Sequence, residues 1–310
     1  MEITPQSLTS DVALGVTVPS RHARGRLARV DRTLDAILAN HAYPPIIETL
    51  LAEALVLTAL LGSLLKDPGG QMTLQAQTEN GAIDLLVCDY KAGELRGYVN
   101  FAPERLAEAG PQPSLFSLFG KGYLAITFDQ PASHERYQGI VPLEGEGLAD
   151  AAQSFFSQSE QIPSIVRLAA RKDSDGWVAG GLLFQHLPEG EEGRERLHTK
   201  LDHPDWPHVA TMTGSVTEGE LTDRALPLDD LAWRLLHEEG EVRTLAPIAL
   251  IKGCRCSSDY IASVLSRFPE EEKAAMAGDD GVIRVDCAFC ATSFPIDFGT
   301  AENSASGDTV

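Results

Sequence analysis

The N-terminal two thirds of the chain combine one long apolar stretch with several short runs in which apolar and polar residues alternate. The apolar stretch, residues 45–66, carries only two acidic side chains, Glu48 and Glu53, and Pro68 with two glycines follows it. This pattern predicts a buried amphipathic helix that ends at the proline and glycines. A shorter helix is predicted at residues 32–40.

The alternating runs predict strands, because successive side chains of a strand point to opposite faces. Turn sequences at Asn80-Gly81 and at residues 91–94 join three of these strands, so neighbouring strands are expected to be antiparallel. Helices, including one at residues 148–159, are expected to cover one face of the sheet, which makes the fold class α+β with an antiparallel-sheet domain. The predicted strands are residues 72–78, 83–90, 95–101, 123–128, 137–143 and 177–184.

Residues 198–250 have a different pattern. They contain a proline-containing loop at 203–208, a polar stretch at 211–223, and a short amphipathic helix at 228–237 whose leucines share one face. Three glutamates follow this helix, and negative charge at a helix C-terminus opposes the helix dipole. Since so short a helix is marginal unless it docks on a neighbour, we predict a helical but metastable linker at 198–250.

Four of the five cysteines lie near the C-terminus: Cys254, Cys256, Cys287 and Cys290. The pattern is C-x-C, thirty residues, then C-x-x-C, and each pair can supply two thiolates from one tight turn. It predicts one zinc ion per chain, with no coordination position left for a catalytic water. Two local disulfides or free thiols are the alternative. Cys88 lies in an alternating apolar strand and is expected to be a buried core thiol.

The cysteines belong to a predicted zinc module at residues 251–298. Within it the sequence predicts two helices, the second beginning at Pro269, and strands at 282–286 and 292–298 on either side of the second cysteine pair. The predicted organisation is an N-terminal α+β core domain at 1–197, the linker at 198–250, the small C-terminal four-cysteine zinc module at 251–298 and a disordered polar tail at 299–310.

The chain is strongly acidic, with 25 Lys and Arg against 45 Asp and Glu and a formal charge of −20. Such a surface opposes binding to nucleic acid or anionic membranes, because both require Lys and Arg to neutralise phosphates. The N-terminal sequence lacks the basic region and apolar run of a signal peptide. The longest uncharged apolar run, residues 54–65, is too short to cross a bilayer. We therefore expect a cytoplasmic protein with reduced thiols.

Common catalytic and nucleotide-binding signatures do not match this sequence. Residues 120–122 (GKG) lack the upstream glycine and the Ser/Thr of a phosphate loop, and the HEEGE at 237–241 lacks the second histidine of a zinc protease. A G-x-S-x-G elbow does not occur, and no proline precedes either cysteine pair, as a zinc deaminase would require. The sequence predicts no catalytic residue, and we do not expect an enzyme.

A zinc site of this kind is open to oxidation. Zinc binding deprotonates the thiols, and thiolates are the form that oxidants attack. Sulfurs joined as disulfides no longer hold zinc, and a module of fewer than about fifty residues has too little core to stay folded alone. The pattern is therefore consistent with a redox switch. Spacing alone nevertheless favours a permanently reduced structural ribbon, because structural zinc sites with four cysteine ligands are common.

Two segments at the cysteines carry a specific resemblance. GCRCSS at 253–258 and VDCAFCATSFPIDF at 285–298 resemble the zinc-binding end of the redox-regulated heat-shock holdases, the 33 kDa chaperonin family. FFSQSEQIPSIVRLA at 155–169 and LAWRLLHEEGEVR at 231–243 are similar to segments of the same family, and GRLARVDRTLDAILANHAYPP at 25–45 is loosely similar to its N-terminal helix. The resemblance spans nearly the whole chain.

This resemblance implies a function. The reduced family member binds zinc through the four cysteines and is inactive. Oxidation joins Cys254 to Cys256 and Cys287 to Cys290, releases zinc and unfolds the linker. The active form, often a homodimer, holds unfolding client proteins against aggregation without ATP. It passes them to ATP-dependent chaperones when reducing conditions return.

Three other functions compete with this one. A thiol-disulfide oxidoreductase using Cys287 and Cys290 would need a cysteine of low pKa at a helix N-terminus, whereas this pair is predicted to lie between strands. A nucleic-acid-binding zinc ribbon is opposed by the negative charge. A protein with a purely structural zinc ribbon would keep its metal under oxidation.

Overall fold

The computed structural model of the chain describes residues 9–110, 113–132, 134–187 and 204–297. Two compact units make up the chain, Met1–Gly253 and Cys254–Val310. The predicted tail at 299–310 and the start of the predicted linker, residues 198–203, lie outside the described residues.

The first unit contains both helices and β-strands. Its helices are α1 (Arg32–Leu38), α2 (Pro45–Gly62), α3 (Pro103–Glu108), α4 (Leu115–Phe119), α5 (Leu148–Phe155), α6 (Trp206–Gly214), α7 (Glu218–Leu221) and α8 (Leu228–Leu236). Its strands are β1 (Val12–Val18), β2 (Ala23–Val30), β3 (Gln71–Thr78), β4 (Ile83–Lys91), β5 (Glu94–Phe101), β6 (Gly122–Gln130), β7 (Glu135–Pro142), β8 (Ser164–Asp173), β9 (Gly176–His186), β10 (Arg243–Thr244), β11 (Ile248–Ala249) and β12 (Ile251–Lys252).

These strands form two six-stranded sheets. Sheet A has the order β10-β1-β2-β9-β8, with β11 also paired to β1, and sheet B has the order β12-β5-β4-β3-β6-β7. Neighbouring strands are antiparallel except that β12 runs parallel to β5. The predicted α+β class with antiparallel pairing is confirmed, but the expectation of a single sheet covered on one face was wrong.

Helix α2 packs against both sheets. It contacts β2, β8 and β9 of sheet A as well as β3, β4 and β5 of sheet B. Every residue from 54 to 62 is buried, so this part of α2 is apolar all round rather than amphipathic as predicted. By length and composition α2 could cross a membrane, but 72% of it is buried inside the protein. Its hydrophobicity therefore suits a central core helix.

All six strands predicted in this unit are present, with ends shifted by one or two residues, but β1, β2, β8 and the short strands β10 to β12 were not anticipated. Strand β1 is buried along almost its whole length, so it lacks the alternation of a strand with one face in water. Strand β2, with the sequence ARGRLARV, carries three arginines that hide its apolar pattern. Edge strand β8 is partly exposed with no regular period.

The described part of the linker is largely helical and lies on sheet A. Helix α6 begins at Trp206, inside the predicted loop at 203–208, and contacts β8 and β9. Helix α7 lies within the predicted polar stretch and begins at a reciprocal capping box between Thr217 and Glu220. Helix α8 contacts β1 and β2. The segment predicted as a metastable linker thus covers one face of this sheet.

An apolar cluster fills the interface between the linker helices and sheet A. Helix α8 is too short to be stable by itself and is stabilised here by burial of its leucine face. The sheet contributes Val12, Leu14, Val16, Val18, Ala23, Leu27, Ile165, Ala169, Leu182 and Phe184, and the linker contributes Val209, Val216, Leu221, Leu228, Leu231, Ala232, Leu235 and Leu236.

A buried arginine adds polar contacts to this interface. The Arg29 side chain is fully buried on β2. Its guanidinium donates hydrogen bonds to the backbone oxygens of Leu221 (2.8 Å), Leu226 (2.6 Å) and Glu220 (2.9 Å) in the linker, and to that of Thr9 (2.7 Å). Burial lowers the pKa of Arg29 to about 10, so it remains cationic at neutral pH. One side chain therefore satisfies three linker carbonyls.

An ion-pair cluster compensates the acidic end of α8. The Glu239 carboxylate lies 3.0 Å from Arg21 Nε and 3.0 Å from His208 Nε2, and Arg21 also pairs with Asp205 at 2.9 Å. Burial disfavours the charge of Glu239, but hydrogen bonds from Arg21 and His208 hold its pKa below the ordinary value. Of the three glutamates that follow α8, Glu239 is thus neutralised by Arg21 of the core.

Helix α2 also carries a half-buried carboxyl, that of Glu53. Burial, reinforced by the negative charge of Glu218 in α7, raises the pKa of Glu53 from 4.5 to about 7. Since the folded pKa lies above the unfolded one, the folded state binds the proton more tightly, and stability falls as the pH rises from about 4.5 through 7.

Glu53→Gln is therefore expected to raise the free energy of unfolding at pH 8 by about 1–3 kcal/mol, with little effect at pH 5. Urea denaturation of the reduced protein at both pH values measures this. Glu48→Gln is the control, because Glu48 lies on the same helix but pairs with Lys172 at 3.2 Å, and no gain is expected from it. An equal effect of Glu53→Gln at the two pH values would contradict the raised pKa of Glu53.

Candidate metal centre

The described part of the second unit, residues 254–297, contains two helices and a hairpin: α9 (Ser258–Leu265), α10 (Glu270–Met276), β13 (Val282–Asp286) and β14 (Ser293–Asp297). The Ser257 hydroxyl accepts a hydrogen bond from the backbone nitrogen of Tyr260 at 3.2 Å. It caps α9, so that helix begins immediately after the first cysteine pair. Both helices and both strands lie close to where the sequence predicts them.

The second cysteine pair lies in the turn of the hairpin. Strands β13 and β14 pair antiparallel up to Asp286 and Ser293. Beyond them the backbone nitrogen of Cys287 donates to the oxygen of Thr292 at 2.9 Å, and that of Ala291 donates to the oxygen of Cys287 at 2.8 Å. Ala291 has a φ of 53°, which reverses the chain tightly. This turn presents two thiols within four residues.

The structure brings all four predicted cysteines together. Their sulfur atoms lie within 4.8 Å of one another. The Sγ of Cys254 is 3.2 Å from that of Cys256 and 3.7 Å from that of Cys287, and the Sγ of Cys256 is 3.5 Å from that of Cys290. Among the described residues, no other group of three or more possible metal ligands is found.

These distances fit one tetrahedral metal ion. Sulfurs bound at about 2.3 Å to a tetrahedral zinc ion are about 3.8 Å apart. The observed separations of 3.2, 3.5 and 3.7 Å approach that value. A set of four thiolates is also the donor set of structural zinc sites. The cluster can therefore hold a metal ion and is compatible with zinc.

The thiols differ in acidity. Burial, together with the neighbouring thiols, raises the pKa of Cys256 and of Cys287. Burial acts in the same sense on Cys290, but hydrogen bonding with Thr292, whose Oγ1 is 3.3 Å from the sulfur, contributes to lowering its pKa to about 6. Sequence reasoning did not single out Thr292, whose only signal is its place two residues after a cysteine. Binding a dication would stabilise all four thiolates.

The apolar core of this unit is small. In the described residues its buried members are Leu265, Ile283 and Ile296, with a few half-buried neighbours. So few buried side chains cannot offset the conformational entropy of ordering the segment. A metal ion held by the sulfur cluster would therefore supply most of the stability of this fold.

The fifth cysteine is separate from the cluster. Cys88 is fully buried on β4 within the main core, and burial raises its pKa. This confirms the prediction of a buried core thiol.

Comparison with known proteins identifies the family of this chain. A family model described as Hsp33 protein matches residues 11–297. The chain belongs to the Hsp33 family. This match includes both sheets, the linker and all four clustered cysteines, and it confirms the resemblance found in the cysteine segments.

Relatives match along nearly their full length. A 33 kDa chaperonin from Caulobacter vibrioides is 38% identical over 305 residues, covering 96% of this chain and 98% of the relative. A 33 kDa chaperonin from Cronobacter sakazakii is 35% identical over 274 residues, covering 88% of each. A crystal structure of the 33 kDa chaperonin (heat shock protein 33 homologue) from Thermotoga maritima has the same fold, with a TM-score of 0.73 and 23% identity over 93% of this chain and 95% of that one.

The Hsp33 family is a family of chaperones that are generally not enzymes. The geometry adds the cluster of four sulfurs, which gives this chaperone a place for a metal ion.

Reduced protein is expected to bind one thiophilic dication per chain. In a cadmium titration followed by thiolate charge-transfer absorption, Cys254→Ser, Cys256→Ser, Cys287→Ser and Cys290→Ser should each weaken binding by more than about tenfold, because each removes one of four ligands. Cys88→Ala is the matched control and should bind like the wild type, since its sulfur lies in the main core. Unchanged binding by any of the four serine variants would remove that residue from the ligand set.

Proposed function

We propose that this Hsp33 family member is a redox-regulated, ATP-independent holdase chaperone. The observation that carries the proposal is that the linker covering sheet A runs directly into the sulfur cluster. Strand β12 ends at Lys252, and Cys254 follows two residues later. The same chain segment is therefore joined to a protected apolar face at one end and to a redox-sensitive site at the other.

In the reduced state, one zinc ion per chain is held by Cys254, Cys256, Cys287 and Cys290. Bound zinc supplies the folding free energy that the small core of the second unit lacks, on the order of 10–16 kcal/mol in small zinc modules. The negative charge of the four thiolates exceeds the positive charge of the ion by two, so the sulfurs remain electron-rich and open to an oxidant. The cluster sulfurs are only partly buried, which leaves them accessible.

In the oxidised state, the pairs Cys254–Cys256 and Cys287–Cys290 form disulfides. Each thiolate pair gives two electrons to the oxidant as its S–S bond forms. With peroxide, each such oxidation takes up two protons and produces two waters. The sulfurs lose their negative charge and can no longer hold the ion. The second unit then loses its main source of stability, and the end of the linker is no longer anchored to a folded module.

Release of the linker exposes a client-binding surface. The face of sheet A beneath α6, α7 and α8 is lined by valine, leucine, isoleucine and phenylalanine. Such a face attracts the apolar segments of unfolding proteins. The net charge of −20 keeps the opened protein in solution. No ATP is required, because the oxidant provides the free energy of the switch.

The proposed partners follow from this state. Unfolding client proteins occupy the exposed face, and the oxidised protein forms a homodimer. On reduction it passes its clients to ATP-dependent chaperones. It acts in the cytoplasm, where the reduced state is the default, and neither nucleic acid nor membrane is a partner of so acidic a protein.

One observation favours a second function. The lowered pKa of Cys290 is a property of catalytic cysteines, so a thiol-disulfide oxidoreductase using Cys287 and Cys290 remains the competing proposal. The surroundings oppose it, because both cysteines lie in a hairpin turn rather than at a helix N-terminus. A static zinc ribbon is the third possibility and is separated from the others by the next experiment.

The decisive experiment oxidises reduced, zinc-loaded protein with peroxide at a heat-shock temperature. One zinc ion per chain should be released, and light scattering from an aggregating client should fall only after that release. The same protein kept reduced is the control. Retained zinc would establish a static ribbon, and undiminished client aggregation after zinc release would refute the holdase. Catalytic reduction of insulin disulfides would favour the oxidoreductase.

Weakening the linker interface should activate the chaperone without oxidant. Arg29→Met removes the donor to three linker carbonyls and is expected to cost about 2–5 kcal/mol of linker docking. The reduced variant should suppress client aggregation in part and lose amide protection in α7 and α8. Arg24→Met is the matched control, because Arg24 lies on the same strand but its Nε donates to Gln185 of the core at 3.1 Å. A reduced Arg29→Met protein as inactive as the wild type would contradict this account of the interface.

A further inference from the structure

Residues 243–252, here called the edge segment, occupy the outer edges of both sheets. Strands β10 and β11 pair antiparallel with β1 of sheet A, and β12 pairs parallel with β5 of sheet B. Without the edge segment, β1 and β5 would be the outermost strands of their sheets. Open strand edges present unpaired N–H and C=O groups that bind other extended chains.

Main-chain hydrogen bonds hold the edge segment in place. The backbone nitrogen of Leu245 donates to the oxygen of Gly15 at 2.8 Å, and that of Leu250 donates to the oxygen of Asp11 at 2.8 Å. The paired stretches are only two residues long each. Contacts of this kind require an extended chain but no particular sequence, and so short a ladder is readily replaced.

One side chain of the edge segment fits a recess in β1. A methyl group placed on Gly15 would lie 2.7 Å from Cδ1 and 3.1 Å from Cβ of Leu245, and 2.9 Å from a guanidinium nitrogen of Arg26. The absence of a side chain at Gly15 therefore makes room for the leucine. Leu245 is still 46% exposed, so the recess is open enough to accept apolar side chains of other sizes.

The edge segment has the composition of the apolar stretches that an unfolding protein exposes. Its sequence is RTLAPIALIK, and only its two end residues are charged. Strand β1, VALGVTV, carries no charge. An apolar, extended and uncharged stretch is what an unfolding protein offers, and it matches this edge in backbone pairing and in the apolar recess.

We propose that the edge of β1 is a client-binding site that takes an extended apolar segment as an added antiparallel strand, and that the edge segment is its intramolecular substitute in the reduced protein. This inference rests on the proposed holdase function. It adds a backbone-directed site with one apolar side chain over Gly15 to the flat apolar face beneath the linker helices. This site would accept many different client sequences, because every client can pair through its backbone.

The test uses a fluorescein-labelled peptide of residues 242–252 and the oxidised full-length chain. Anisotropy should show binding to the oxidised protein at least about tenfold tighter than to the reduced protein, whose own edge segment fills the site. The unfolded client should displace the peptide. A photoreactive benzophenone in place of the leucine at position 245 of the peptide should crosslink to β1 or β2 near Gly15 and Arg26.

Backbone methylation separates edge pairing from contact with an apolar face. N-methylation of Leu245 in the peptide removes the donor to Gly15 and should weaken binding at least about tenfold. Thr244 lies opposite Val16, and pairs alternate along an antiparallel ladder, so its N–H points away from β1. N-methylation of Thr244 is therefore the matched control and should change binding less than about twofold.

The holdase function and the β1 site can be refuted separately. If the oxidised protein does not suppress client aggregation, the holdase function fails. If it does, but the two methylated peptides bind equally, or the client does not displace the peptide, or the crosslinks map away from β1 and β2, then only the β1 site is overturned.

Discussion

The structure depends on one constraint, which is that sheet A is apolar on both faces. Strand β1 shows it most clearly, because Ala13 belongs to the main core with α2 while Val12, Leu14 and Val16 lie beneath the linker. The second face must be covered, and the covering helices are too short to be stable alone. The linker helices thus depend on the sheet for their stability, and the apolar face of the sheet stays protected only while the linker is folded.

Polar contacts set how firmly this cover is held. Arg29 satisfies linker carbonyls from inside the sheet, and Arg21 neutralises Glu239 at the end of α8. At its other end the linker continues into a unit whose described residues include three buried core side chains and a cluster of four sulfurs. In the proposed mechanism the chemical state of these sulfurs decides whether that end is anchored. In that mechanism a local oxidation would control an apolar surface in another part of the chain through covalent continuity alone.

Much of this arrangement could be predicted from the sequence where the signal is local. The spacing of Cys254, Cys256, Cys287 and Cys290 predicted the cluster, and turn residues such as Asn80-Gly81 predicted the hairpins of sheet B. The layering could not be predicted, because a helix and a strand that are buried on all sides, such as α2 and β1, lose the periodicity that marks a solvent face. Arg29 escaped notice for a related reason, since only the fold turns a charged residue on a strand into a buried donor to the linker.

Hydrogen–deuterium exchange on the reduced, zinc-loaded protein and on the oxidised, zinc-free protein shows whether zinc release frees the linker while the core stays folded. We expect amides of α6, α7, α8 and the edge segment to lose protection when zinc leaves, while amides of α2 and of β3 to β6 keep theirs. Linker amides that stay protected after zinc release would contradict this expectation. So would a simultaneous loss of protection in α2, because the core would then unfold together with its cover.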